Sequence, residues 1–212
     1  VTIENLINGI AIQSGNDASI AVAEGLAGSE PAFAKMMNAL AEKIGMAHSH
    51  FSNATGLPDE AQYTTAKDLA ILARYVIEEF PDLYAVFGKP EFTWNKIRQF
   101  NRNPVLKADI GGDGIKTGYT KESGYGVVGS AFQEGRRLVL VINGLESRQA
   151  RAEEAKRLLE WGFRSFEVVR LFEKGEVIGQ ASVYGGQVKR VDVVAQRPVV
   201  LVLPKGEIGR IS

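Results

Sequence analysis

The 212 residues contain no cysteine, which excludes disulfides and cysteine nucleophiles but leaves the redox compartment open. The chain also lacks an excess of either charge, because 25 Lys and Arg balance 25 Asp and Glu. No net field would therefore attract nucleic acid or an anionic membrane. No apolar run approaches the length of about 18 residues that a transmembrane helix needs. With 45% hydrophobic and 24% charged residues, the sequence has the composition of a globular protein of one large or two modest domains.

The first half of the sequence is predicted to be helical. Apolar residues recur at three- and four-residue spacing across 17–45. Ser29, a good N-cap residue, divides this stretch into two helices, and Gly45 ends the second. The chain begins inside another helix-like pattern, so we expect it to be part of a longer protein.

A loop and a further helix are predicted next. The loop covers 46–63, where His, Gly, Pro and small polar residues replace the periodic pattern. The helix begins after Thr65 and ends before Pro81. Asp68 lies three residues after Thr65, so the two are expected to form a capping box.

The second half of the sequence is predicted to be mostly β structure. A short strand over 114–120 precedes two apolar segments, 126–132 and 137–142. These segments flank a Gln-Glu-Gly-Arg turn and therefore predict a hairpin, in which Arg136 and Arg137 are charges of the turn.

A charged amphipathic helix over 148–161 is predicted to follow the hairpin. Its Arg and Glu residues are expected to face solvent and to pair at i, i+4, as in Glu153 with Arg157. We place a domain boundary near Phe166. Beyond it, short β segments make a region too small to stand alone.

Two short motifs carry the chemistry of this sequence. Ser14-Gly15-Asn16 opens an Ala-rich helix, and Lys116-Thr117-Gly118 lies directly before the hairpin. Either tripeptide alone is common in turns and strands. Their order and setting are those that a Ser/Lys acyl-transferase site requires. Such a site needs a proton path, support for an oxyanion and a cation that holds a substrate carboxylate.

Several further segments extend the resemblance through nearly the whole chain. These are Ser14-Gly15-Asn16-Asp17-Ala18, His50 to Pro58, Thr65 to Ala70, Asn101-Arg102-Asn103, Asp113 to Thr120 and Leu159 to Arg164. In this order they resemble the D-alanyl-D-alanine carboxypeptidases among the low-molecular-mass penicillin-binding proteins, the serine peptidases of family S11. The resemblance implies an α+β fold, with an antiparallel sheet flanked by helices as in penicillin-binding proteins and serine β-lactamases, followed by a partial C-terminal β domain. It assigns 1–166 to a partial catalytic domain and 167–212 to the C-terminal one.

The resemblance also implies roles for individual residues. Ser14 resembles the serine that relays a proton, and Asn16 the residue that binds the substrate amide. Lys116 and Thr117 resemble the pair that holds the substrate carboxylate, and Gly118 leaves room for the substrate backbone. The backbone N–H of Tyr119 would form half of an oxyanion hole. Arg102 resembles an arginine that helps to orient the carboxyl end of the substrate.

The implied activity is removal of the terminal D-Ala from peptidoglycan pentapeptides through a serine acyl-enzyme, with β-lactam antibiotics as pseudo-substrates. No cofactor and no metal are expected, because His48 and His50 lack supporting Cys or carboxylate ligands and fit a surface loop better. A periplasmic or other extracytoplasmic location, peripheral to the cytoplasmic membrane, is implied as well. A DD-endopeptidase, a β-lactamase relative and a non-catalytic peptidoglycan-binding module remain open alternatives.

The family's nucleophile motif, a Ser followed three positions later by a Lys, is missing from the sequence. Thr64 with Lys67 and Thr93 with Lys96 have the spacing, but the first pair fits a helix cap and the second has no helix signal. We expect an N-terminal truncation, with no membrane anchor of the family in this chain. The family's N-terminal strands would pair beside 137–144, so an apolar edge is expected there. The chain alone should be poorly stable or inactive, and should need the missing N-terminal segment or a second copy as a partner.

Overall fold

A computed structural model describes residues 1–207 and residue 209. By its internal contacts the chain separates into two compact units, Val1–Glu160 and Trp161–Ser212. Within the described residues, no helix combines the length and apolarity that crossing a membrane would demand. The helices are α1 (Ile3–Asn8), α2 (Asn16–Ala27), α3 (Glu30–Ile44), α4 (Ala66–Glu79), α5 (Pro81–Tyr84) and α6 (Arg148–Ser165).

The predicted helix caps form where the sequence places them. Ser29 Oγ accepts from the Ala32 N–H at 3.3 Å, and α3 ends at Gly45 with φ of 89°. Thr65 Oγ1 accepts from the Asp68 N–H at 3.1 Å. The capping box is only half formed, because the Asp68 carboxylate binds the loop before α4 instead of the Thr65 N–H. It accepts from the His48 N–H at 2.8 Å and the Ser49 hydroxyl at 2.7 Å.

Three antiparallel strands form the main sheet of the first unit, in the order β3-β4-β5. Their bounds are β3 (Gly112–Thr120), β4 (Gly124–Gln133) and β5 (Arg136–Leu145). The predicted hairpin is confirmed, and its turn is Glu134-Gly135, where both residues have positive φ as a tight hairpin turn requires. The outer edges of β3 and β5 have no neighbouring strand in the described part of the chain.

Both faces of this sheet carry apolar contacts. On one face, Ala73 of α4 packs with Tyr84 and Ile115, and Val128 and Val139 lie against them. On the other face, Gly129 leaves space for Leu159 of α6 and for Val105, each 2% exposed or less. Alternate residues of each strand point to opposite faces, so each layer of helices covers its own set of side chains. The predicted α+β class with an antiparallel sheet flanked by helices is thereby confirmed.

The sequence did not predict a small hairpin that precedes the main sheet. Its strands are β1 (Glu91–Trp94) and β2 (Ile97–Phe100). The turn residues Asn95 and Lys96 both have positive φ, a conformation usually signalled by Asn-Gly, and the missing glycine hid the turn. Thr93 and Lys96 therefore lie in a hairpin, not on a helix.

The second unit holds two pairs of antiparallel strands. β6 (Phe166–Phe172) pairs with β9 (Val199–Pro204), and β7 (Val177–Ser182) pairs with β8 (Arg190–Val194). Every residue of β7 and β8 is exposed, as expected for sheets too small to bury a face. The functional boundary near Phe166 stays a prediction.

Candidate active site

Ser14 lies at the joint between two helical segments. A π-helical turn over Gly9–Gln13 ends at Ser14, and α2 begins at Asn16. Ser14 has φ of 62° and ψ of 46°, a left-handed conformation that few residues other than glycine adopt. The Ser14 N–H donates to Ile10 O at 3.2 Å, and the Gly15 N–H donates to Gly9 O at 3.1 Å. Strained backbone of this kind concentrates at functional sites.

Lys116 of β3 brings the second motif to the first. Its ammonium donates to Ser14 Oγ at 2.9 Å and to the Thr117 carbonyl at 2.8 Å. The two residues are 102 positions apart in sequence, so the fold alone creates this pair.

The charge of Lys116 is costly in this place. Burial, followed by the positive charges of Arg102 and Arg151, lowers the pKa of Lys116 to about 8. The ammonium form still prevails at neutral pH. The site therefore holds a partly buried cation that is positioned to bind an anion.

Arg102 lies between two buried asparagines, Asn101 and Asn103, which hold its backbone in place. Asn101 donates its amide to the carbonyls of Phe87 and Lys89 at 3.1 and 3.0 Å, and its oxygen accepts from the Asn103 N–H at 2.9 Å. Asn103 in turn accepts from the Val105 N–H at 3.0 Å. The two asparagines fix the backbone, and Arg102 between them is exposed and adds to the positive field at Lys116.

A cavity of about 900 Å³ opens beside the Ser14–Lys116 pair. Of the predicted site residues, Ser14, Asn16, Lys116 and Gly118 line it. The side chains of Thr117, Tyr119 and Arg102 are not part of its wall. Tyr119 stacks on Tyr125 with ring centroids 4.3 Å apart, in keeping with a role that uses only its backbone.

The opposite wall of the cavity is the loop between α3 and α4. Asn38 and Phe51 exchange two hydrogen bonds of 2.8 Å each, which fix the start of the loop. Gln62 Oε1 accepts from the N–H groups of Ser52 and Asn53 at 3.2 and 3.3 Å. These bonds within the loop make it a fixed wall for a ligand.

Arg151 is a site residue that the sequence interpretation missed. The sequence predicts that it lies on a solvated helix face, but it is 6% exposed. Its Nη1 lies 3.4 Å from the carbonyl oxygens of Gly118 and Gly126. The spacing to Ala155 and Leu159 at i+4 and i+8 marks the buried face of α6 and could have revealed it.

Two other predictions about charged residues were wrong. Arg157 pairs with Glu154 at 2.6 Å and not with Glu153, which accepts from Gln149. Arg137 is not a free charge of the turn, because it forms an ion pair with Asp113 at 2.7 Å.

No group of three or more His, Cys, Asp or Glu side chains is arranged to hold a metal ion within residues 1–207 and 209. His50 instead pairs with Tyr63 through backbone hydrogen bonds of 2.8 and 3.0 Å, and their rings stack.

Comparison with known families gives two matches. Residues 1–147 match the D-alanyl-D-alanine carboxypeptidase model of peptidase family S11, and residues 166–212 match the C-terminal domain of penicillin-binding protein 5.

Individual relatives agree with these matches. The chain is 37% identical to the D-alanyl-D-alanine carboxypeptidase DacD of Escherichia coli over 100% of this chain and 55% of that protein. It is 38% identical to the carboxypeptidase DacA of the same species, over 97% and 51% respectively. The chain thus spans about half the length of the curated relatives that it matches.

Solved structures show the same likeness. Penicillin-binding protein 5 of Haemophilus influenzae superposes with a TM-score of 0.92 at 36% identity, covering 99% of this chain and 61% of that one. Penicillin-binding protein D2 of Listeria monocytogenes, solved in an ampicillin-bound form, has a TM-score of 0.71 at 31% identity, covering 76% and 68%. The chain belongs to the D-alanyl-D-alanine carboxypeptidase family, peptidase S11.

Proposed function

We propose that the protein carrying this sequence is a serine-type carboxypeptidase that removes the terminal D-Ala from peptidoglycan pentapeptides. The observation that carries this proposal is the hydrogen bond of 2.9 Å between Lys116 Nζ and Ser14 Oγ at the wall of the cavity. It joins a cation, for the terminal carboxylate of the substrate, to a hydroxyl that can pass on a proton. The chain is similar to carboxypeptidases along its whole length, which supports the same activity.

Acylation begins with a serine hydroxyl that attacks the carbonyl of the D-Ala–D-Ala bond. The attacking serine is not one of these 212 residues, and we propose that a segment outside them, or a second copy, supplies it. The oxyanion would be held in part by the Tyr119 N–H. Ser14 would then donate a proton to the amine of the leaving D-Ala and, through Lys116, recover the proton that the attacking hydroxyl gives up. Water completes the cycle by hydrolysing the acyl-enzyme, which releases the shortened peptide.

The remaining residues would hold the substrate in place. Asn16, at the start of α2, would bind the substrate amide from the wall of the cavity. Lys116 would hold the terminal carboxylate from the wall of the cavity, and the resemblance alone gives Thr117 and Arg102, which lie outside that wall, a part in the same role. Gly118 leaves the outer face of β3 open, because a Cβ added there would meet nothing within 4 Å. The substrate backbone can therefore lie against the strand.

We propose the same cavity as the site for β-lactam antibiotics, which present a carboxylate next to a reactive carbonyl. A family relative has been solved with ampicillin bound, which supports this assignment. Because the substrate is cell-wall peptidoglycan, we further propose an extracytoplasmic location.

A fluorescent penicillin tests the enzyme assignment in the intact protein. Covalent labelling that unlabelled ampicillin blocks is the expected result, together with release of free D-Ala from a pentapeptide. Labelling without D-Ala release would instead favour an endopeptidase. Muropeptide binding without any labelling would favour a non-catalytic binding module, which the absence of a Ser-x-x-Lys motif keeps as the second candidate.

A further inference from the structure

β3 contains a bulge at Asp113, three residues before Lys116. Gly112 is opposite Ala131 and Gly114 is opposite Ser130, so Asp113 is an extra residue without a partner on β4. A β-bulge bends its strand and changes the direction of the side chains that follow it. The residue at this bulge therefore influences how Lys116 is aimed.

The Asp113 carboxylate is held by residues from two other elements. It accepts from the Tyr84 hydroxyl at 2.9 Å and from Arg137 Nη1 at 2.7 and 2.9 Å. The same Nη1 donates to the fully buried hydroxyl of Ser130 at 2.6 Å. We call these four residues, Tyr84, Asp113, Ser130 and Arg137, the Asp113 cluster.

Aromatic rings partly cover the cluster, whose Arg137 and Asp113 side chains remain 29% and 33% exposed. The Arg137 guanidinium lies 5.3 Å from the centre of the Tyr84 ring and 5.4 Å from that of Phe132. Burial raises the pKa of Tyr84, so its hydroxyl stays protonated and donates to Asp113. Charge-assisted hydrogen bonds in a partly covered place are screened less by solvent than fully exposed ion pairs.

The cluster also contacts the segment that leads to Lys116. A Cβ added at Gly114 would lie 2.5 Å from the Tyr84 hydroxyl, so this backbone rests directly on Tyr84. Ile115, the next residue, is 7% exposed and packs with Tyr84 in the core. Lys116 follows Ile115 directly in the chain, so the fixed position of Ile115 in the core restricts the backbone from which Lys116 reaches Ser14.

We propose that the Asp113 cluster positions Lys116 for its role in substrate binding, by fixing the bulge at the start of β3. Asp113, Tyr84 and Arg137 are positioning residues, which act through Lys116 and do not touch the substrate. In the described part of the chain only β4 pairs with β3, so hydrogen bonds fix β3 along one edge only. The Asp113 cluster supplies further contacts that hold the start of the strand in place.

The test uses the intact protein and separates penicillin binding from acylation. Asp113→Asn keeps the shape of the side chain and removes the charge that holds Arg137. We expect the dissociation constant of the non-covalent penicillin complex to rise about tenfold, the usual cost of a lost hydrogen bond to a charged group. Arg137→Lys keeps a cation beside Asp113 and should lose less affinity than Asp113→Asn, whereas Tyr84→Phe removes one hydroxyl and should cost about twofold.

Arg98→Gln is the matched control, because it breaks another arginine–carboxylate pair, with Glu91 on the β1–β2 hairpin. It should leave the dissociation constant unchanged. An unchanged dissociation constant in folded Asp113→Asn and Tyr84→Phe, with only a lower Tm, would overturn the proposal and make the cluster merely structural.

The proposal rests on the proposed function, so a second measurement avoids penicillin. A crystal structure of Asp113→Asn should show Lys116 Nζ beyond hydrogen-bond distance of Ser14 Oγ. If the unmodified intact protein binds no penicillin, the functional proposal fails and this distance alone decides. A retained Lys116–Ser14 hydrogen bond in the variant contradicts the positioning role.

Discussion

The two outer strands of the main sheet, β3 and β5, have unpaired edges of opposite character. β3 has glycine at positions 112, 114 and 118 and charged or polar residues at 113, 116 and 117. β5 carries the continuous apolar run Leu138-Val139-Leu140-Val141-Ile142. Neither outer edge is paired in the described part of the chain. Polar residues and glycines suit an edge that receives a ligand, whereas an apolar edge invites another strand.

The largest effect is expected at the β5 edge. The 212-residue chain expressed alone should self-associate and unfold without a cooperative transition, because no strand pairs with the apolar outer edge of β5 in the described part of the chain. Sedimentation velocity and a thermal melt are the measurements, with the intact protein as the control. If the chain alone is a stable monomer that unfolds cooperatively, the unpaired β5 edge does not cause self-association and this prediction is wrong.

Lys116→Ala tests the β3 edge. Loss of the cation that holds the ligand carboxylate and takes part in the proton relay should reduce penicillin acylation of the intact protein by about 100-fold. Lys121→Ala, in the exposed turn after β3, is the matched lysine control and should change the rate little. An equal loss in both variants would mean that β3 contributes only net charge.

The pH dependence of the same edge should follow the lowered pKa of Lys116, about 8. Affinity for a carboxylate ligand should fall about tenfold between pH 7 and pH 9, because the ammonium form is lost over this interval. The stability changes in the opposite direction. Lys116 releases its proton at a lower pH in the folded protein than in the unfolded chain. The contribution of Lys116 to the free energy of unfolding therefore rises with pH between about pH 8 and pH 10.5, its ordinary pKa. Lys116→Arg should remove the pH dependence of binding, as measured by titration calorimetry.

The smallest effects are expected from two glycines of β3. At Gly118 an added methyl group meets no atom within 4 Å, so Gly118→Ala should leave the Tm of the protein unchanged. The methyl group would occupy space at the cavity wall and should weaken penicillin binding about fivefold. At Gly112 the methyl would collide with the Val105 carbonyl oxygen. Gly112→Ala should therefore lower the stability by about 1–3 kcal/mol. Thermal melts and binding titrations should separate the two variants. A similar Tm for both would contradict the view that Gly112 is needed for packing and Gly118 for ligand binding.

Local signals in the sequence were sufficient for much of the fold. Ser29, Thr65 and Gly45 mark helix ends because capping uses the side chain or backbone of a single residue. The β4–β5 hairpin was predictable because its turn and apolar runs lie together in sequence. The β1–β2 hairpin was missed because Asn95-Lys96 adopts the turn without the usual glycine.

The electrostatics of the site were less accessible from the sequence. Arg137 and Arg151 looked like surface charges, since arginine is rarely buried. Each proved to be partly or fully enclosed, the one beside Asp113 and the other behind Gly118. Their partners are 24 and 33 positions away, which no local pattern can indicate.

The family, the helix ends, the β4–β5 hairpin and the identity of the two motifs could be predicted from the sequence, because each depends on residues close together in the chain. Three properties of the site came from the fold: Lys116 donates to Ser14, burial and two arginines lower the pKa of Lys116, and Asp113 is fixed at a bulge. Those properties depend on distance, burial and the direction of side chains, which arise only when distant segments of the first unit pack together.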